Sequence, residues 1–129
     1  MKRSAKFPQS CPAEEAMEVF GGKWRVGIVH HLEGGPLRFN ELRRKLPGIT
    51  QKMLTQQLRH LQRFGILDRK QFAEIPPRVE YSLTNLGRSL CPLLDQISKW
   101  SGKHMPRLRH EAAAYDAANQ IKKSRARTL

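Results

Sequence analysis

The stretch Phe39-Asn40-Glu41-Leu42-Arg43-Arg44-Lys45-Leu46-Pro47-Gly48-Ile49-Thr50-Gln51-Lys52-Met53-Leu54-Thr55-Gln56-Gln57-Leu58, running on to Phe64-Gly65, decides the fold. Phe39, Leu42, Leu46 and Ile49 are apolar at steps of three and four, which predicts a short helix closed by Pro47-Gly48. Thr50 suits the position before the next helix, because its hydroxyl can accept a backbone N–H that the first turn leaves unpaired. Leu54, Leu58 and Leu61 then form one inward face, and Gly65 ends the helix. Two short helices joined by a tight glycine-containing turn are the sequence form of a helix-turn-helix.

Beyond Gly65 the apolar period falls from about four to two. Val79, Tyr81 and Leu83 alternate with Glu80 and Ser82, and Leu67 to Phe72 is compatible with a strand. Between them Glu74-Ile75-Pro76-Pro77-Arg78 excludes helix and suits a stiff loop tip, so the segment predicts a β-hairpin wing. Upstream, Cys11-Pro12 reads as the cap and first position of a helix that carries Ala13, Ala16, Met17 and Phe20 and breaks at Gly21-Gly22. A second helix is expected from Lys23 to Glu33, and Leu37-Arg38 suits a single strand pairing. Downstream, Thr84 caps a long helix in which Leu86, Leu90, Leu93, Leu94, Ile97 and Trp100 make a wide apolar stripe, with a kink expected at Pro92. Pro106 to Gln120 has looser helical spacing, and Lys122 to Arg127 reads as a disordered basic tail. The expected class is α+β, mostly α: a winged helix-turn-helix.

At 129 residues the chain is expected to form one domain. Its 24 Lys and Arg against 11 Asp and Glu give a net charge of +13, which points first to a polyanionic partner and second to an anionic membrane surface. No apolar run is long enough to span a bilayer, and Met1 to Ser10 is basic without the apolar stretch of a secretion signal, so the expectation is a cytoplasmic protein. No nucleophile–base pair, phosphate loop or metal triad stands out, which argues against an enzyme and against a cofactor or metal. The five histidines offer no ligand set; His60 is expected to face DNA or solvent.

The charge has a location. Between Glu41 and Asp68 there is no carboxylate, whereas Arg43, Arg44, Lys45, Lys52, Arg59 and Arg63 all fall there. With the leucines inward, the helix from about 50 to 64 turns Gln51, Lys52, Thr55, Gln56, Arg59, His60 and Arg63 outward. Glutamine can pair bidentately with adenine, arginine or lysine with guanine, and a threonine methyl can meet the thymine methyl. The N-terminal half of such a helix reaches base edges, which favours Gln51, Lys52, Thr55 and Gln56, with Arg59 split between base and phosphate. Lys23, Arg38, Asn40 and Arg43 are the candidate phosphate contacts, and Arg78 beside two prolines is a candidate minor-groove probe on a wing at about 74–79. A nonspecific architectural DNA-binding protein is the alternative, but a purely electrostatic surface favours lysine over the Gln51, Gln56 and Arg59 found together here. RNA is disfavoured because the basic face lacks stacking aromatics.

These residues resemble the HxlR-type subfamily of the MarR-like winged helix-turn-helix regulators. The resemblance is carried by Cys11-Pro12, Gly21-Gly22-Lys23-Trp24, Arg38-Phe39-Asn40-Glu41-Leu42, Pro47 to Leu58, Pro76-Pro77-Arg78-Val79-Glu80-Tyr81-Ser82-Leu83-Thr84 and Leu86-Gly87, over roughly positions 11 to 104. It implies a transcription regulator that binds a palindromic operator in double-stranded DNA as a homodimer built on the N-terminal and long C-terminal helices. The family's recognition-helix positions fall on Thr50, Gln51, Lys52, Thr55, Gln56 and Arg59, and its wing position on Arg78. The stripe on the long helix is wider than a small core needs, which also argues for a partner; Met17, Phe20, Leu90, Leu94, Ile97 and Trp100 are the candidate dimer residues. The expected organisation is a flexible basic segment over 1–10, the winged domain with its dimerisation helices over 11–104, and a helical extension with a basic tail over 105–129.

Two cysteines far apart give neither a disulfide framework nor a zinc motif. Cys11, at a helix N-terminus with Arg3 and Lys6 upstream, is a candidate redox or electrophile sensor, as in some relatives of this family; the competing reading is a small cap residue. Cys91 beside the apolar stripe reads as packing.

Overall fold

A computed structural model describes residues 11–128 of the chain. The expected basic segment over 1–10, with Arg3 and Lys6, lies outside the described residues. Five helices and three strands follow in the order α1 (Pro12–Phe20), α2 (Arg25–Leu32), β1 (Leu37–Arg38), α3 (Phe39–Lys45), α4 (Gln51–Arg63), β2 (Leu67–Phe72), β3 (Arg78–Leu83) and α5 (Asn85–Thr128). This is the winged helix-turn-helix architecture: mostly helical, with a small antiparallel sheet.

The helix-turn-helix forms for the reasons written in its sequence. Leu42 of α3, Leu54, Leu58 and Leu61 of α4, and Ile28, Val29 and Leu32 of α2 are all sealed from solvent, so three helices share one core. Gly48 turns the chain between α3 and α4 at φ +90, a conformation that a side chain resists. The Thr50 hydroxyl accepts the Met53 N–H at 3.1 Å and starts α4. Gly65, at φ +74, stops it, and Ile66 and Leu67 immediately re-enter the core.

The sheet has the order β1-β3-β2, all antiparallel. Leu37 and Arg38 pair with Tyr81 and Glu80, which makes β3 the central strand and ties the start of α3 to the wing. Across the hairpin Leu67 faces Leu83, Arg69 faces Tyr81, and Phe72 faces Arg78. The loop from 73 to 77 closes the hairpin with Ile75 fully exposed and a cis Ile75–Pro76 bond. Thr84 caps α5 by accepting the Gly87 N–H at 3.0 Å. Gly87 itself lies so close to the Ile66 carbonyl that a Cβ would collide with it.

Two compact units divide the chain, one through Cys91 and the other from Pro92. The first holds α1 to β3 and the opening of α5. The second consists of the remainder of α5, which continues as helix through Pro92 and Pro106 to Thr128. The stretch at 122–127 expected to be a disordered tail is therefore helical. Its Lys, Arg and Ala residues are good helix formers, and cations suit the negative end of the helix dipole.

Candidate nucleic-acid interface

The outward face of α4 is assembled as its spacing predicts. Gln51, Lys52, Thr55, Gln56 and Arg59 line one open groove. Gln51, Lys52, Gln56 and Arg59 are exposed, and Thr55 is half-buried. Thr55 donates its hydroxyl hydrogen to the Gln51 carbonyl at 2.9 Å. What it retains for a partner is its methyl and an oxygen lone pair. Thr50 is exposed, but its hydroxyl oxygen is engaged in the helix cap.

The edge of this face is a cleft that joins α4 to the sheet. Gln51, Thr55, Arg59 and Gln62 form one wall, and Arg69 and Tyr81 the other. Arg69 is a cation that the sequence reading passed over, because only the pairing of β2 with β3 brings it beside the helix. On the far side of the motif, Asn40, Arg43 and Arg44 border a depression with Gly48 and Ile49. Arg38, Asn40 and Arg44 border another with Pro77 and Arg78. Three of the four expected phosphate contacts thus sit with Arg44 around one end of the motif. Lys23 lines neither depression; it is exposed, with its ammonium 4.8 Å from the centroid of the Trp24 ring, and that ring lies beside Gly48. Glu41 is turned back on the backbone, accepting the Arg38 N–H at 2.9 Å.

Arg78 does not project freely from the wing. Its guanidinium lies 4.0 Å from the Phe72 ring centroid, which the cross-strand register dictates. It pairs with Glu74 at 3.3 Å and approaches Glu80 at 3.6 Å through Nε, too far for a hydrogen bond, so the buried Nε has none.

His60 corrects the expectation that it faces DNA or solvent. Its Nε2 reaches the carbonyls of Glu18 at 2.8 Å and Val19 at 3.1 Å, on the other side of α4. Phe20, expected at the dimer interface, is buried at 3% exposure, and Leu94 is 5% exposed. Leu90 is half-buried. Met17, Ile97 and Trp100 leave large apolar surface exposed, as do Leu86 and Leu93 of the same stripe, and Val26, which lies outside it. Cys11 is exposed at the N-cap of α1 with no side-chain capping bond, and its thiol is not in a disulfide. Cys91 is half-buried, with Sγ 4.0 Å from the Gly87 carbonyl oxygen.

The described residues include no helix long and apolar enough to cross a membrane, and no cluster of three or more His, Cys, Asp or Glu able to hold a metal ion.

The model of the HxlR-like helix-turn-helix matches residues 19–109. The chain belongs to this family. It is similar to YdeP of Bacillus subtilis (strain 168), described as an HTH-type transcriptional regulator, with 42% identity over 88% of each chain. Among solved structures it is similar to the redox regulator HypR in its reduced form, with 44% identity, a TM-score of 0.74, and coverage of 78% of this chain and 99% of that one. The reduced form of the transcriptional regulator YodB from B. subtilis matches at 35% identity and a TM-score of 0.65, covering 72% of this chain and 92% of that one. As an HxlR-like protein, the chain is a transcriptional regulator with a DNA-binding helix-turn-helix.

Proposed function

We propose that this HxlR-like regulator binds a palindromic operator in double-stranded DNA as a homodimer and reads its sequence through α4 in the major groove. The observation that carries the reading is the single groove formed by Gln51, Lys52, Thr55, Gln56 and Arg59. It combines bidentate readers with cations, in a stretch without carboxylates from Leu42 to Leu67. Thr50 stands at the start of this face. Arg38, Asn40, Arg43 and Lys23 take phosphates, and Arg78 serves the wing in the minor groove. A helix seated in the major groove beside a wing in the minor groove must straddle a phosphate strand, and the cleft holding Arg59 and Arg69 suits that strand.

The dimer is proposed to form through α1 and α5, using the exposed Met17, Ile97 and Trp100 and the half-buried Leu90. Exposed apolar groups this large on a regulator are better explained by a second copy than by solvent. Cys11 is the proposed thiol sensor, supported by its exposure at the start of α1 and by the likeness to HypR, a redox regulator.

The reading is tested by comparing two substitutions on the cognate duplex and on a random one. Gln56→Ala should weaken cognate binding by about 1–3 kcal/mol and random binding hardly at all, with preference relaxed at one base pair. Lys23→Ala should weaken both nearly equally and reduce the salt slope. Equal losses on both duplexes from Gln56→Ala would remove it from the readers.

A further inference from the structure

The inward-lateral side of α4, away from the readers, holds a set of hydrogen bonds that the DNA-binding reading does not use. The last turn of α1 leaves carbonyls that no helical N–H can reach. Arg25 at the start of α2 donates through Nη1 to one of them, Glu18 at 3.2 Å, and to the carbonyl of the capping Gly21 at 3.1 Å. Its Nε donates to the Gln57 side-chain oxygen of α4 at 2.8 Å. One turn further along α4, His60 Nε2 donates to Glu18 and Val19. Carbonyls only accept, so that nitrogen must carry the proton. Glu18 therefore receives both donors, and the end of α1 is joined to α4 at two successive turns.

The position of these residues on α4 matters more than their energy. Gln57 adjoins the reader Gln56, and His60 adjoins Arg59, in each case about 100° around the helix. A rotation of α4 by about 10° would carry a side chain at a radius near 5–6 Å through about 1 Å. That is enough to spoil bidentate geometry at a base edge, where donor and acceptor must meet within a few tenths of an ångström. The leucines Leu54, Leu58 and Leu61 fix the depth of α4, but apolar packing is not directional and holds its rotation less sharply.

We infer that Arg25, Gln57 and His60 are positioning residues that set the rotation of the recognition helix against α1, so that sequence discrimination depends on three side chains that do not touch DNA. This rests on the reading of α4 as the recognition helix. The pose of the readers then follows the position of α1, the helix that Cys11 precedes.

The test measures binding of the full-length protein to two duplexes, the operator recovered by selection and a scrambled duplex of equal length, for four variants. His60→Ala and Gln57→Ala should each lower operator affinity roughly five- to thirtyfold, with less than a twofold change on the scrambled duplex. His60→Gln keeps a neutral donor for the same carbonyls and should restore most of the operator preference. A merely structural loss would lower thermal stability and leave the ratio of the two affinities unchanged. Gln56→Ala is the control for the recognition reading. If it leaves operator preference intact, α4 is not the reader and the inference falls with that reading. If Gln56→Ala removes preference while both His60→Ala and Gln57→Ala keep the ratio within twofold, the positioning role alone is overturned. The two removals act from different turns, so a variant that fails to fold leaves the other to decide.

Discussion

Gly87 shows how a single residue can carry a fold constraint that its neighbours hide. It stands in the first turn of α5, where a glycine weakens a helix by about 1 kcal/mol relative to alanine. Here the missing Cβ lets the helix approach the Ile66 carbonyl, to which the Thr84 N–H donates at 3.0 Å. Gly87→Ala should therefore destabilise the protein by about 1–3 kcal/mol rather than stabilise it, read as a lower thermal midpoint. An unchanged or raised midpoint would mean that the helix start yields freely. His31 makes a second prediction at this scale. Burial pushes its pKa below the ordinary histidine value, the nearby His30 and Lys45 charges add to this, and a backbone hydrogen bond with Lys45 opposes it. The unfolded chain then takes up a proton at higher pH than the folded one. Stability present above about pH 6.5 is lost as the pH falls through the unfolded and then the folded value. The ring is only partly shielded, so the effect is modest. The thermal midpoint should drop less between pH 7.5 and 5.5 in His31→Gln than in the native protein, and equal drops would assign the pH dependence elsewhere.

At the scale of elements, the wing is the part whose chemistry departs most from its sequence. Two prolines and an alternating strand sufficed to expect a hairpin with its tip at about 74–79, and the register that sets Phe72 opposite Arg78 followed from the fold. The pairing of Arg78 with Glu74 and its approach to Glu80 did not. A surface ion pair of this kind contributes about 0–1 kcal/mol, little enough for a phosphate or a narrow groove to displace. Arg78→Ala should thus weaken operator binding by roughly three- to tenfold at physiological salt, measured by titration, whereas no change would leave Arg78 as a strut between the strands. The helices divide in the same way. Those of the motif were legible because leucines at steps of three and four, a threonine cap and two glycines all act within a few residues of each other. The contacts of His60 with Glu18 and Val19 and of Arg25 with Gln57 were not, because these partners lie 42, 41 and 32 residues away and nothing local marks them. Phe20 was read as a dimer residue for a related reason: periodicity gives the apolar face of α1 but not which part of it the chain itself covers.

For the whole molecule, the excess of +13 supplies attraction to any nucleic acid, and in the proposed reading specificity comes from where the charge is placed and from a second copy. A dimer converts binding of the second half-site into a local event, with gains of 10²–10⁴ over one site. Ile97→Asp on the exposed face of α5 should give a monomer by light scattering and lower operator affinity about a hundredfold or more, with a smaller change on random DNA. A dimer that persisted would move the interface off this face. The sequence placed Met17, Ile97 and Trp100 on apolar faces, and all three are exposed. It did not reveal that α5 continues as one helix to Thr128, because two prolines and a run of cations each resemble a stop when read locally. The most direct test of the central claim is selection of bound sequences from a random duplex pool at about physiological salt. Recovery of a palindrome whose half-sites lie about one helical turn apart is the predicted result for a dimer reading DNA through α4. Tight binding that enriches no motif would contradict it and leave a nonspecific architectural protein.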